Sequence, residues 1–185
     1  KLEDELNRYL ATEYGVETSK TIKYDKWLYS HKPFHWFIEF YRIIKDGGFN
    51  TIIGNPPYVE ISDVREEYSI KGLNLISTGN LYSICVERFT RLSSAAGRCG
   101  VIIPISSVST PRMLQLVQFM TDSYSSLYLS NFAVRPGKLF VGVDMNLTIM
   151  LGELKQNANK IAWSTKYNRW QEEYRPFLFE TINYA

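Results

Sequence analysis

One stretch constrains this chain more than any other: Phe49-Asn50-Thr51-Ile52-Ile53-Gly54-Asn55-Pro56-Pro57-Tyr58. Phe49 to Ile53 is a short apolar, β-branched run, preceded by Gly47-Gly48 and followed by Gly-Asn-Pro-Pro. That punctuation predicts a buried central strand that ends where Asn55 begins. In an open α/β sheet, ligands bind outside the carboxyl ends of the strands. A polar residue followed by two prolines and an aromatic at that edge is therefore placed for chemistry.

Each residue type suits a planar, amide-like or aryl amine substrate. The lone pair of such a nitrogen is delocalised into the ring, and the nitrogen must turn toward sp3 geometry before it attacks. Two acceptors gripping its two N–H bonds achieve this. Asn55 offers a side-chain carbonyl oxygen, and the backbone carbonyl of Pro56 offers the second. Proline has no N–H and a fixed φ, so Pro56-Pro57 makes a stiff loop whose carbonyls keep their aim. Tyr58 supplies a flat face on which a base can stack, worth about 1–3 kcal/mol.

With 185 residues, 45% of them apolar and 22% charged, the chain fits one globular domain. It has no apolar run long enough to span a bilayer and no signal-peptide pattern, so a cytoplasmic protein is expected. The net charge of +2 is too small to announce a nucleic-acid binder, although a local basic patch is what grips phosphate. Cys85 and Cys99 define neither a disulfide framework nor a metal spacing and read as buried thiols. His31 and His35 are separated by Pro33, which disfavours the helix that an i, i+4 metal pair needs, so no metal is expected.

Along the chain, residues 1–14 read as a helix, with Leu2, Leu6, Tyr9 and Leu10 at helical spacing and Glu3, Asp4 and Glu5 in its first turn. A further helix is expected around Ile22–Tyr29. Phe34–Phe40 is either a strand or the start of a helix running to Ile44. Ser62–Tyr68 reads as a mobile loop or short helix over the mouth of the site. Asn80–Ala96 is predicted as a helix with Asn80 as N-cap and Gly97 as its stop. Val101–Pro104 is the next buried strand, with Ser106 and Ser107 at its carboxyl end. Pro111 opens another helix with Thr110 as cap. Ser126–Phe132 and Leu147–Leu151 are strands, and Ile161–Thr165 is expected to pair with the latter as an antiparallel edge hairpin. Alternation of strand and helix predicts a layered α/β sheet.

Gly54-Asn55-Pro56-Pro57-Tyr58 after an apolar strand resembles motif IV of the S-adenosylmethionine-dependent amino methyltransferases, most closely the N6-adenine DNA methylases of restriction-modification systems. Pro33–Phe40, Asn80–Pro104 and Val134–Ile149 resemble the same family's flanking segments. The resemblance implies a partial Rossmann-like methyltransferase sheet with flanking helices and the antiparallel C-terminal hairpin. It implies that Asn55, Pro56, Pro57 and Tyr58 are catalytic, and that Tyr58, with Phe140 in the place of motif VIII, holds a flipped adenine. Asn55 would also face the cofactor S-adenosyl-L-methionine. Glu39 is a cofactor candidate if Phe34–Phe40 is a strand, and Arg135 and Lys138 are candidate contacts for double-stranded DNA.

A complete methylase also needs a glycine-rich loop and an acidic residue after its first strands to hold the cofactor. Nothing before Phe49 supplies them, so the chain reads as an excised catalytic half. Residues 1–33 are expected to be a helical lead-in, 34–166 the C-terminal half of the catalytic domain, and 167–185 a tail toward a further domain. Two alternatives share the motif or dispense with catalysis: transfer to guanine N2 of ribosomal RNA or to a protein glutamine, and a non-catalytic DNA-interaction unit.

Overall fold

The strand that carries Asn55 stands at the edge of a sheet. In the computed structural model, which describes residues 1–140, 142–155 and 159–185, the strands are β1 (Phe49–Gly54), β2 (Ser93–Pro104), β3 (Ser126–Phe132), β4 (Leu147–Glu153) and β5 (Ile161–Ser164). Their order across the sheet is β1-β2-β4-β3-β5. Among the described residues only β2 pairs with β1, so the expected central, buried strand is an edge strand, and Ile53 is 83% exposed.

The β1/β2 and β3/β5 pairs are parallel, and β4 runs antiparallel to both β2 and β3. The carboxyl ends of β1, β2, β3 and β5 therefore share one rim with the amino end of β4. The expected β4–β5 hairpin does not form. Ile161–Ser164 pairs in parallel with Ser126–Leu129, because β3 already occupies the far side of β4. Antiparallel pairing is present instead between β3 and β4.

Two helices, α1 (Leu2–Glu13) and α2 (Thr21–His31), pack around Ala11, Tyr24 and Trp27 as a small separate core. Phe34–Phe40 is not a strand. It contributes a helical turn, α3 (Trp36–Glu39), and α4 (Tyr41–Lys45) follows; Phe34, Trp36, Phe40 and Phe49 stack their rings on one another. After β1 come α5 (Ile61–Val64) and a 3-10 turn at Asn74–Thr78.

The helix α6 (Leu81–Leu92) begins at Asn80, whose side-chain oxygen accepts from the Tyr82 N–H at 3.4 Å. It stops four residues short of the expected end, because Ser93 already pairs with Phe49 as the start of β2. Gly97 is not a helix stop. A Cβ there would lie 2.9 Å from the Phe49 carbonyl oxygen, so the glycine permits close strand approach at an irregularity in the β1/β2 register. A short turn, α7 (Ser106–Ser109), leads through a 3-10 turn at Pro111–Met113 into α8 (Leu114–Ser123). Thr110 precedes that turn without capping it; its hydroxyl donates to the Ser106 carbonyl at 2.8 Å.

The main core lies between one face of the sheet and the helices α6 and α8. Val101, Ile103, Leu127, Leu129 and Met150 from the strands meet Tyr82, Val86, Leu116 and Met120 from the helices. Inside it, Glu87 is fully buried and accepts the backbone N–H groups of Asn74 (3.0 Å) and Leu75 (2.9 Å) while pairing with Arg91. This carboxylate pins the Asn74–Thr78 turn to α6. Residues 167–185 fold back on the sheet, where Trp170 and Leu178 pack against Phe132. Cys85 is half-buried and Cys99 buried, and burial pushes both thiols above their usual range.

Candidate active site

The backbone leaves β1 at Gly54 and exposes Asn55 at the carboxyl rim, followed by a buried Pro56 and an exposed Pro57. Tyr58 is half-buried, its ring packed on the main core and meeting Tyr82 edge-on with centroids 6.4 Å apart. The Tyr58 hydroxyl lies 2.7 Å from the Asn55 side-chain oxygen and 2.9 Å from the Ile102 carbonyl oxygen. A phenol has one proton, so these two acceptors share it. Burial raises the Tyr58 pKa, which keeps that proton in place. The Asn55 oxygen has a second lone pair, which remains available to an incoming N–H.

The loop is braced from behind. Val59 and Ile61 exchange backbone hydrogen bonds with Leu81 and Gly79, both at 2.9 Å. Arg112, at the start of the α7–α8 connection, donates to the Thr78 carbonyl at 2.7 Å and forms a forked pair with Glu60. Arg112, assisted by the Asn80 amide, holds the Glu60 carboxyl below its usual range. Gly79 has φ +73°, and any Cβ there would collide with the Arg112 guanidinium. The left-handed backbone favours glycine, and a larger residue would have to displace the guanidinium from its place. Glu60 and Arg112 were not singled out in the sequence; the sole hint was that Glu60 lies two residues after the tyrosine.

The other expected residues fall elsewhere. Glu39 is exposed on α3, and with Phe34–Phe40 helical there is no strand end to place it against a cofactor. Phe140 is 40% exposed in the loop between β3 and β4, and among the described residues no ring pairing joins it to Tyr58. Lys138 is bound to Asp144 at 2.5 Å, whereas Arg135 is exposed in the same loop. Ser107 is fully buried with its hydroxyl unpartnered, while Ser106 is partly exposed. The histidines make structural contacts: His35 with the Asn7 side chain at 2.7 Å, His31 with the Glu67 carbonyl at 2.8 Å. Among the described residues no group of metal-binding side chains occurs, and no helix is long and apolar enough to cross a membrane.

This α/β fold is shared with solved restriction-modification enzymes. A nuclease-deletion mutant of the Type ISP enzyme LlaGI, solved with a DNA substrate mimic, superposes with a TM-score of 0.60 over 80% of this chain at 15% identity. DrdV in complex with DNA gives 0.55 over 74% at 16% identity. The sequence profile of the Eco57I restriction-modification methylases matches residues 3–140, and the chain belongs to that family. A protein of Methanocaldococcus jannaschii named as a type II restriction enzyme and methyltransferase is 29% identical over 120 residues, 65% of this chain. The chain spans 10% of that relative, 18% of the LlaGI chain and 17% of the DrdV chain.

Proposed function

We propose that this chain carries the amine-activating half of an S-adenosylmethionine-dependent N6-adenine DNA methyltransferase. One observation carries the reading: an exposed amide oxygen, Asn55, sits on a proline-locked loop at the carboxyl rim and is oriented by a tyrosine hydroxyl. The family assignment supports DNA methylation as the class of reaction.

An adenine flipped from the duplex, at a cost of a few kcal/mol, would present its amino group to Asn55 and to the Pro56 carbonyl. Each accepts one N–H, drawing the nitrogen out of conjugation so that its lone pair points outward. The exposed part of the Tyr58 ring supports the base, and the shared hydroxyl proton fixes the direction of the Asn55 oxygen. When bound, S-adenosylmethionine supplies an electrophilic methyl group. Asn55 fits the acceptor side of that transfer, while the glycine-rich loop that would hold the donor is not among these 185 residues. The amino proton leaves to water after transfer, so no general base is required from this chain.

The test is Asn55→Ala in the intact polypeptide, with labelled methyl groups offered to DNA, RNA and protein side by side. Transfer to adenine N6 should fall by about a hundredfold to a thousandfold, the usual cost of removing one preorganised hydrogen-bonding group, with DNA affinity essentially unchanged. Undiminished turnover rejects the assignment of Asn55, and labelling of RNA or protein in place of DNA rejects the acceptor.

A further inference from the structure

Three strands away from Asn55 along the same rim lies a groove of about 700 Å³, lined by Val134, Arg135, Pro136, Asn146, Tyr167 and Arg169. Two of these six residues are arginines, and none is acidic. Neither guanidinium has a carboxylate partner among the described residues. The nearby carboxylates Asp144 and Glu172 pair with Lys138 and Arg175, and Arg135 acts on Asp144 only at longer range. Arg169 lies over the Tyr167 ring, 5.4 Å from its centroid, which gives the guanidinium an aromatic support.

The walls of this groove are bonded to each other. The Ala133 N–H donates to the Asn168 carbonyl at 2.8 Å, the Asn168 N–H to the Asn131 carbonyl at 2.9 Å, and the Gly137 N–H to the Trp170 carbonyl at 2.7 Å. At Gly137 the approach is so close that a Cβ would meet the Trp170 carbonyl oxygen at 2.8 Å. The floor is tied to the rim beside the active site. Asn146 accepts from the Val134 N–H at 2.9 Å through its side chain and from the Ile105 N–H at 3.0 Å through its carbonyl. The backbone that carries the two cations is thus tied to the ends of β2 and β4.

We propose that this groove seats the phosphodiester backbone of the DNA beside the target adenine, with Arg135 and Arg169 on phosphate and Tyr167 supporting Arg169. The inference rests on DNA as the methyl acceptor and assigns the flanking strand a place that the methylation chemistry itself leaves open. Three strand spacings separate the groove from β1, about 14 Å at the usual 4.8 Å. At 3.4 Å per stacked nucleotide, that is about four nucleotides from the target. Two cations without an ion pair of their own among the described residues suit two adjacent phosphates, and each phosphate neutralised contributes about 0.9 to the salt slope of binding.

The experiment compares the intact protein with its Arg135→Gln/Arg169→Gln variant on DNA that it methylates, measuring affinity between 50 and 200 mM salt. The slope should fall by about 1.8, so that the salt-induced loss over this range shrinks about twelvefold. Arg98→Gln, at the opposite rim and paired with Glu153, should leave the slope unchanged. A second arm needs no substitution: neutral methylphosphonates are placed singly along the strand. Weakening confined to linkages three to five nucleotides from the target adenine supports the groove. An unchanged slope in the double variant, or a methylphosphonate effect spread evenly, overturns it. Methyl transfer to DNA by the unsubstituted protein is read in the same samples. Transfer with an unchanged slope removes the groove alone, whereas absence of transfer to any DNA removes the acceptor reading beneath it.

Discussion

On β4, Met150 is fully buried and its neighbour Leu151 is 48% exposed. The contrast runs across the whole sheet. Met150 pairs with Val101 and Leu129, and these side chains face α6 and α8. Leu151 belongs to the opposite row, Ile53, Gly100, Leu151, Tyr128 and Trp163, each residue in register with the next. Part of that row lines an open cleft of about 390 Å³. The covered face carries the larger core, while the opposite face has a smaller one toward the carboxyl rim, around Phe132, Trp170 and Leu178. The row Ile53, Leu151, Tyr128 and Trp163 on the open face is also apolar but contributes far less, because burial rather than residue type sets the stabilisation. The Asn55–Tyr58 loop belongs to the covered side, where Tyr58 rests on the helix-lined core and bonds the Ile102 carbonyl.

Substitutions on the two faces test this contrast directly. Met150→Ala should destabilise the protein by about 2–5 kcal/mol, the range for emptying a buried methionine site, read as a shift of the denaturation midpoint. A loss below 1 kcal/mol would mean that the helices do not seal this face. Tyr58→Phe removes the hydroxyl that links the rim to the covered face, and should cost about 1 kcal/mol of stability. It should also lower methyl transfer, because the Asn55 oxygen loses its anchor. Full activity with the predicted stability loss would show that the hydroxyl serves the fold alone. The smallest effect is expected for Ile53→Thr on the open face, within about 0.5 kcal/mol. A cost comparable to Met150→Ala would show that the intact protein covers this row.

Much of this was readable in advance, for identifiable reasons. The Phe49–Ile53 run, its glycine brackets and the Asn-Pro-Pro-Tyr turn are local signals, and strand and loop fall where those signals place them. Asn80 as N-cap is equally local. What failed depended on partners distant in sequence. Ser93–Gly97 is compatible with a helix by composition, but Phe49 recruits it into β2. The four residues of β5 encode no choice between β3 and β4 as neighbour. Arg112, which braces the loop, lies 52 residues from Glu60, and nothing in its own surroundings marks it. Tyr167 and Arg169 belong to an aromatic, charged segment without a period, and only the fold back onto β3 gives them a shared wall.

His31 and Glu13 have a consequence for motion. The segment after Tyr58 is fastened at its start by the Ile61–Gly79 hydrogen bond and at its far end by His31 on Glu67 and Lys71 on Glu13. A flap hinged only at its base swings freely, but this one is also moored to the paired helices α1 and α2. Swinging the flap aside at its far end therefore means either casting off those two moorings or carrying the helical pair along. Movement of this segment is then coupled to a body of some thirty residues at the other end of the chain.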